Sequence, residues 1–195
     1  FSMMIPPVVL KQRPLYGTGY FPSESSMIYE LVQDDKIEDT DGRYLTGTSE
    51  QALVAYHMDD ILELADDHPI RYGGLSTCFR SEAGSWGKDT RGIKRVHQFD
   101  KIEMIYFTTP QTSQFFMQEA LNIEKEILEE LGLTYHVLEM CTGDVGLATH
   151  RKFDVEVWLP SEQTWMETQS NSDLAGYHTR RLNIRYRRND GSLDY

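Results

Sequence analysis

Leu75-Ser76-Thr77-Cys78-Phe79-Arg80-Ser81-Glu82, then a glycine-rich charged loop over 83–94, then Arg95-Val96-His97-Gln98-Phe99-Asp100-Lys101-Ile102-Glu103-Met104-Ile105-Tyr106-Phe107, read as a short strand and a long one. Alternate residues of a strand share a face. On the long strand Arg95, His97, Phe99, Lys101 and Glu103 then point one way. Val96, Ile102, Met104 and Tyr106 point the other way and suit a core. On the short strand Cys78, Arg80 and Glu82 share a face. A sheet face with two arginines, a phenylalanine and several glutamates is costly to bury unless its charges pair or meet a ligand. Two readings follow: a network of cross-strand salt bridges, or a polar site lying on the sheet. The second suits nucleotide chemistry. Arginine holds phosphate in a planar fork, carboxylates carry an amine or Mg²⁺, and an aromatic ring stacks on a base.

Outward from this pair, Thr48 to Leu64 reads as a helix, with Ala52, Leu53, Tyr56, Ile61 and Leu62 at helical spacing. Thr112 to Leu131 is a second amphipathic helix, stopped by Gly132. Phe153–Leu159 and Thr164–Gln169 form a hairpin in which Trp165, Glu167 and Gln169 share a face, and Leu182–Arg187 is a further strand. Long strands with two helices, not in strict βα alternation, predict an α+β domain built on a mostly antiparallel sheet. No repeat or long linker breaks the chain, so 1–195 reads as one domain.

The 195 residues are 39% hydrophobic, enough for a packed core, and carry a net charge of −12. So acidic a surface disfavours general polyanion binding, which confines any nucleic-acid contact to local basic patches. One lies between Arg80 and Lys101 and includes Lys88 and Arg91; the other holds Arg180, Arg181, Arg185, Arg187 and Arg188. No apolar run approaches the length of a membrane span. Two cysteines, Cys78 and Cys141, make neither a disulfide framework nor a zinc site, and fit buried thiols in a reducing cytoplasm. His57, His68, His136, His150 and His178 show no metal-ligand spacing. No GxxxxGK[ST] or GxGxxG run occurs, which disfavours the α/β nucleotide folds.

Phe79-Arg80-Ser81-Glu82-Ala83-Gly84, Asp89-Thr90-Arg91-Gly92 and Arg95 through Glu103 together closely resemble motif 2 of class II aminoacyl-tRNA synthetases, in the version of the seryl-tRNA synthetases. Ile5-Pro6-Pro7 is similar to the end of their motif 1, Leu15 to Gly19 with Phe21-Pro22 to the loop before their serine site, and Thr48-Ser49-Glu50 to their Thr-x-Glu signature. Asp154 to Pro160 and Arg180 to Tyr186 resemble their late strands. The resemblance covers nearly the whole chain. It implies the class II antiparallel sheet flanked by helices, and a two-step reaction: ATP-dependent activation of serine with release of pyrophosphate, then transfer to the tRNA 3′ end.

The resemblance also implies roles. Arg80 bridges the α-phosphate and the serine carboxylate. Glu82 contacts the adenine side of ATP, Arg95 the γ-phosphate, and Phe99 stacks on adenine. Thr48 and Glu50 meet the serine amine and Glu103 its hydroxyl. Glu167 holds Mg²⁺, and Ser170 helps at the metal or phosphate. Lys88 and Arg91 meet the tRNA acceptor end. Arg80 and Glu167 are the expected catalytic groups; ATP and Mg²⁺ are the expected cofactors. The expected partners are serine and tRNA(Ser), with room for a selenocysteine tRNA, and a homodimer for the full-length protein, in the cytoplasm and without a membrane.

Measured against that family, the chain runs from the end of motif 1 through motif 2. The N-terminal tRNA-binding arm, the motif 1 helix and motif 3 are not in it. It is therefore expected to be a fragment with weak or no activity of its own. Two rivals share the fold: a ligase that loads an amino acid onto a carrier protein, and a non-catalytic binding module. The uninterrupted motif 2 argues against the first, and the presence of Arg80, Glu82, Arg95, Glu103 and Glu167 together argues against the second.

Overall fold

Both strands form and pair with each other, but the first runs from Ile70 to Phe79 and the second starts at Gln98, so Arg80, Glu82, Arg95 and His97, expected on the sheet face, lie beyond the strand ends. In the computed structural model, residues 1–32, 41–83 and 92–195 are described. The chain divides into two compact units, one made of Phe1–Leu64, Ile70–Phe107 and His178–Tyr195, the other of Ala65–Pro69 and Thr108–Tyr177. In chain order the elements are β1 (Ser2–Met4), β2 (Val9–Leu10), α1 (Gln12–Gly17), β3 (Tyr44–Leu45), α2 (Glu50–Ala55), β4 (Ile61–Leu62), β5 (Ile70–Phe79) and β6 (Gln98–Phe107). There follow α3 (Ser113–Glu130), β7 (Tyr135–Glu139), β8 (Arg151–Leu159), β9 (Thr164–Asp173), α4 (Tyr177–Leu182), β10 (Arg185–Arg187) and β11 (Leu193–Asp194).

In the first unit β5 and β6 pair antiparallel from Ile70 opposite Phe107 to Phe79 opposite Gln98, and β1 adds in parallel on the other edge of β5. The covered face of this sheet carries Gly74, Ser76 and Cys78 from β5 against Glu103, Lys101 and Phe99 from β6. The expectation that Ile102, Met104 and Tyr106 face the core is corrected. Ile102 is 68% exposed and so is much of its partner Leu75, at 46%. The reason is Gly74. A Cβ there would meet Leu53 of α2 at 2.5 Å, so the missing side chain is what lets α2 lie against this face. Beneath it Val54, Leu62, Phe107, Leu182, Ile184 and Tyr186 form the core.

Helix α2 ends at Ala55, well short of the Leu64 that periodicity predicts. Tertiary bonds override the pattern. Asp59 takes a left-handed φ of 68°, its amide donates to the Leu182 carbonyl, and its carboxylate accepts from Arg13 and Asn183. Ile61 and Leu62 then pair in parallel with Arg185 and Tyr186. The predicted strand from Leu182 is likewise corrected. Leu182 closes α4, where Asn183 at φ 55° and an Ile184 amide bonded to the Thr179 carbonyl make a helix-ending turn, and the strand starts at Arg185.

In the second unit α3 matches the expected helix almost residue for residue. Gly132 at φ 67° ends it, with the Leu133 amide reaching back to the Leu128 carbonyl. Its apolar stripe buries Leu121 and Leu128 against Val155 and Val157 of the β7-β8-β9 sheet. The β8–β9 hairpin carries an irregularity the sequence does not announce. Val155 faces Gln169 but Glu156 faces Glu167, so Thr168 is an extra residue. Gln169 therefore leaves the face of Trp165 and Glu167, contrary to expectation, and Ser170 joins it.

Candidate functional site

Of the polar groups expected on the β5–β6 face, Lys101 and Glu103 cluster where α2 meets it. Thr48, fully buried just before α2, sits at the centre. Its Oγ1 donates to Glu103 Oε2 at 2.7 Å and accepts from Lys101 Nζ at 3.2 Å and from the Glu50 amide at 3.3 Å. Lys101 Nζ is 2.5 Å from the same Glu103 oxygen. One hydroxyl thus ties two adjacent strand positions to a helix start. Ser49, the residue that caps α2, makes no side-chain capping bond. Gln51 turns the other way, its Oε1 accepting from Thr46 Oγ1 and the Gly47 amide.

Glu50 lies beside this network. Burial first, and the charge of Glu103 second, push its carboxyl up to about 7, while Lys101 and Arg80 pull it back. Tyr20 feels the same surroundings: burial, then Glu50, raises its hydroxyl well above the ordinary value. A cavity of about 150 Å³ opens here, lined by Tyr20, Glu24, Met27, Ile28, Gly47 and Arg80.

Arg80 follows β5 directly and is pinned at three points. Its amide donates to the His97 carbonyl, its Nε donates to the Gly47 carbonyl at 3.1 Å, and its guanidinium lies 5.3 Å from the centre of the Phe99 ring. His97 Nδ1 lies 3.1 Å from the Arg80 carbonyl. Farther along, Arg95 Nη1 meets Glu82 Oε2 at 2.5 Å, with the Glu82 side chain 9% exposed and the Arg95 side chain 36%. Glu82 holds a φ of 53°, a left-handed conformation unusual for a residue with a side chain.

Thr48, Glu50, Arg80, Glu82, Arg95, Phe99 and Glu103 therefore all fall in the first unit, and Thr48 and Glu103 are in direct contact. Glu167 and Ser170 stand exposed on β9 of the second unit, on one face because of the extra residue between them. Glu156 faces Glu167 across the ladder and is bonded to His136 at 2.6 Å. Among the described residues no three His, Cys, Asp or Glu side chains form a metal cage. Lys88 and Arg91 lie outside the described residues. The second basic patch is largely engaged within the fold: Arg181 donates twice to the Tyr16 carbonyl, Arg187 meets Glu63, and Arg188 meets Asp194. Sequence reasoning gave no role to Lys101, although its place between Phe99 and Glu103 in a two-residue period put it on the face. It passed over Tyr20, Glu24 and His178, for which no periodic signal exists.

A sheet with an arginine at a strand end, an aromatic ring two rungs in and a carboxylate deeper still is the layout that the resemblance to class II aminoacyl-tRNA synthetases implies. The family model of the tRNA synthetase class II core domain (G, H, P, S and T) matches residues 31–194, and the chain belongs to this family. Within it the similarity is to the seryl enzymes. The serine–tRNA ligase of Corynebacterium glutamicum is 46% identical over 98% of this chain, and that of Nocardia farcinica 45% over the same share. The chain spans 43% and 44% of those two proteins, respectively. The crystal structure of Pyrococcus horikoshii seryl-tRNA synthetase complexed with ATP superposes with a TM-score of 0.89 at 38% identity, over all of this chain and 42% of that one. Among the described residues no helix is long and apolar enough to cross a membrane.

Proposed function

We propose that this chain is the catalytic core of a cytoplasmic serine–tRNA ligase. The observation that carries the reading is the Thr48–Lys101–Glu103 network with Glu50 and Arg80 beside it. A small amino acid has three handles, and this pocket answers each. Arg80 takes the carboxylate. Glu50, with Thr48, takes the ammonium. Glu103 uses Oε2 for Thr48 and Lys101, so Oε1 is the oxygen for a substrate hydroxyl. A site built to pair a hydroxyl strongly rejects analogues without one, which separates serine from alanine.

In the first step a serine carboxylate oxygen attacks the α-phosphorus of ATP, and pyrophosphate leaves. In the second, a hydroxyl at the tRNA 3′ end attacks the seryl carbonyl carbon, and AMP leaves. Neither step needs a protein nucleophile; both need positioning and stabilisation of negative charge. Arg80 supplies that at the α-phosphate, Arg95 at the γ-phosphate. Phe99 stacks on the adenine and Glu82 contacts its edge. Lys88 and Arg91 meet the acceptor end of tRNA(Ser). Mg²⁺ keeps most of its waters when bound to ATP and needs only one or two protein oxygens. Glu167 with Ser170 on the same face fits that demand, and the ion offsets phosphate charge when bound. The full-length enzyme acts as a homodimer, and this chain alone activates serine weakly or not at all.

Replacing Arg80 by Ala in the full-length enzyme tests the assignment. Serine-dependent ATP–pyrophosphate exchange falls by about 3–4 kcal/mol of transition-state stabilisation, the effect of removing a preorganised donor to developing charge. A loss below about tenfold assigns Arg80 elsewhere.

A further inference from the structure

Behind the amine end of this pocket lies a buried histidine that the reading above does not use. His178, in the first turn of α4, is 5% exposed, and its Nδ1 is 3.6 Å from Glu50 Oε1. That is too long for a hydrogen bond, but within reach of an ion pair were the ring charged. The ring cannot drift away. Leu182 at the end of α4 presses on Gly17, where a Cβ would lie 2.2 Å from it. A ring N–H of His178 donates to the main-chain carbonyl of Thr18, itself buried. A neutral imidazole has a single N–H, so none is left for Glu50. Burial keeps the ring neutral by pulling it down to about 4, and the Arg181 charge acts in the same direction. On its other sides Glu50 feels Glu103, Lys101, Arg80 and Glu24, and the Tyr20 hydroxyl.

We propose that His178 is a positioning residue for the amine end of the pocket, a neutral wall that gives Glu50 neither a competing donor nor a countercharge and so reserves that carboxylate for the substrate ammonium. The inference rests on reading Glu50 as the ammonium partner. A cation in place of His178 would neutralise Glu50 before substrate arrives, and an extra N–H donor would stabilise its ionised form without substrate. With the neutral ring behind it, Glu50 holds its proton near neutral pH in the empty pocket. An arriving ammonium favours the carboxylate, and the proton leaves to water as the N–H···O bonds form.

The test follows the Glu50 side-chain carboxyl by carbon-13 NMR through a pH titration of this chain. In the wild-type chain it titrates near neutrality. His178→Gln supplies an amide that can donate to Glu50, and lowers the midpoint by about one pH unit. An unmoved midpoint in a folded His178→Gln protein overturns the proposal. The wild-type ring gives a second check that needs no variant. Nitrogen-15 shifts of His178 stay those of a neutral imidazole while Glu50 ionises; an imidazolium signal appearing at that point also overturns it. Serine lowers the wild-type midpoint, whereas glycerate, which carries a hydroxyl in place of the amine, does not. If serine leaves the midpoint unmoved while His178→Gln lowers it, the neutral wall stands but Glu50 is not the ammonium partner, and its reservation for substrate falls with that reading.

Discussion

At the β5–β6 rungs under α2, Thr48, Lys101 and Glu103 close into one network with Glu50 beside it, whereas beyond the ends of the same two strands Arg95 and Glu82 grip each other. The first group stands on regular ladder positions and a helix start held against the sheet by Gly74. The second stands outside the ladder, with Glu82 in a strained backbone conformation. Under the proposed function, the difference teaches how the two substrates would be handled. The amino-acid end would be preorganised, with selection set before binding. The nucleotide end would store its positive charge in an ion pair that a phosphate displaces.

The sharpest way to break this contrast is Glu103→Gln in the full-length enzyme. It strips the charge from the acceptor of the Thr48 hydroxyl and leaves Lys101 beside a neutral amide, in a setting where an unpaired charge is costly. The kcat/KM for serine falls by about 3 kcal/mol, on the order of 100-fold, while the KM for ATP changes by less than about threefold. Exchange kinetics with each substrate varied in turn measure both. Equal effects on the two would mean that the ends are not separate.

Gly74→Ala attacks the support instead of the chemistry. Its Cβ would fall 2.5 Å from Leu53 and 3.1 Å from the Ser49 hydroxyl, both fully buried and without room to yield. Overpacking at such a spot costs roughly 2–3 kcal/mol, read as a lowered urea midpoint of this chain. Because Thr48 and Glu50 flank Ser49, serine recognition in the full-length enzyme weakens more than ATP binding.

The same contrast governs what was legible beforehand. Thr48, Glu50 and Glu103 could be read because they occupy positions whose period or motif fixes a face. Helix α3 was legible for a similar reason: a clean apolar stripe and Gly132 as its stop. Where tertiary bonds overrule local pattern, reading fails. Asp59 ends α2 early because Arg13, Asn183 and the Leu182 carbonyl, all distant in sequence, hold it. Ile102 looks like a core residue until one knows that the glycine at Gly74, on the other strand face, admits the helix. Thr168 displaces Gln169 and brings in Ser170, and nothing in its neighbourhood marks it as extra. His178 is a lone histidine whose meaning depends on Thr18 and Glu50, both more than a hundred residues away.

That histidine also shapes how stability depends on pH. Glu50 in the folded chain is raised to about 7 from an ordinary 4.5, so above pH 4.5 the unfolded chain loses a proton that the folded one keeps, and stability falls as pH rises. His178 is depressed to about 4 from 6.5, so below pH 6.5 the unfolded chain gains a proton that the folded one refuses, and stability rises with pH. Between pH 4.5 and 6.5 the two slopes oppose, and this pair contributes a nearly flat profile. His178→Gln removes the rising slope and, by lowering the Glu50 midpoint by about one pH unit, shortens the falling one. Urea unfolding of the variant then loses about 2 kcal/mol across that window relative to the wild-type profile. A flat profile in the variant would mean that Glu50 titrates in the ordinary carboxylate range.

The smallest effect belongs to the nucleotide end. With the Arg95 side chain a third exposed, its pair with Glu82 is worth less than about 1 kcal/mol to the fold. Glu82→Gln keeps the shape and weakens the grip on Arg95, so stability barely moves while the guanidinium is freed for phosphate. If Glu82 acts mainly as a holding partner, the KM for ATP in the full-length enzyme drops by about twofold. If its contact with the adenine side dominates, the KM rises. Arg95→Ala raises it in either case. A fall with Glu82→Gln and a rise with Arg95→Ala would show that the ion pair and the phosphate compete for one guanidinium, and that the nucleotide end is completed by its ligand where the amino-acid end is completed by the fold.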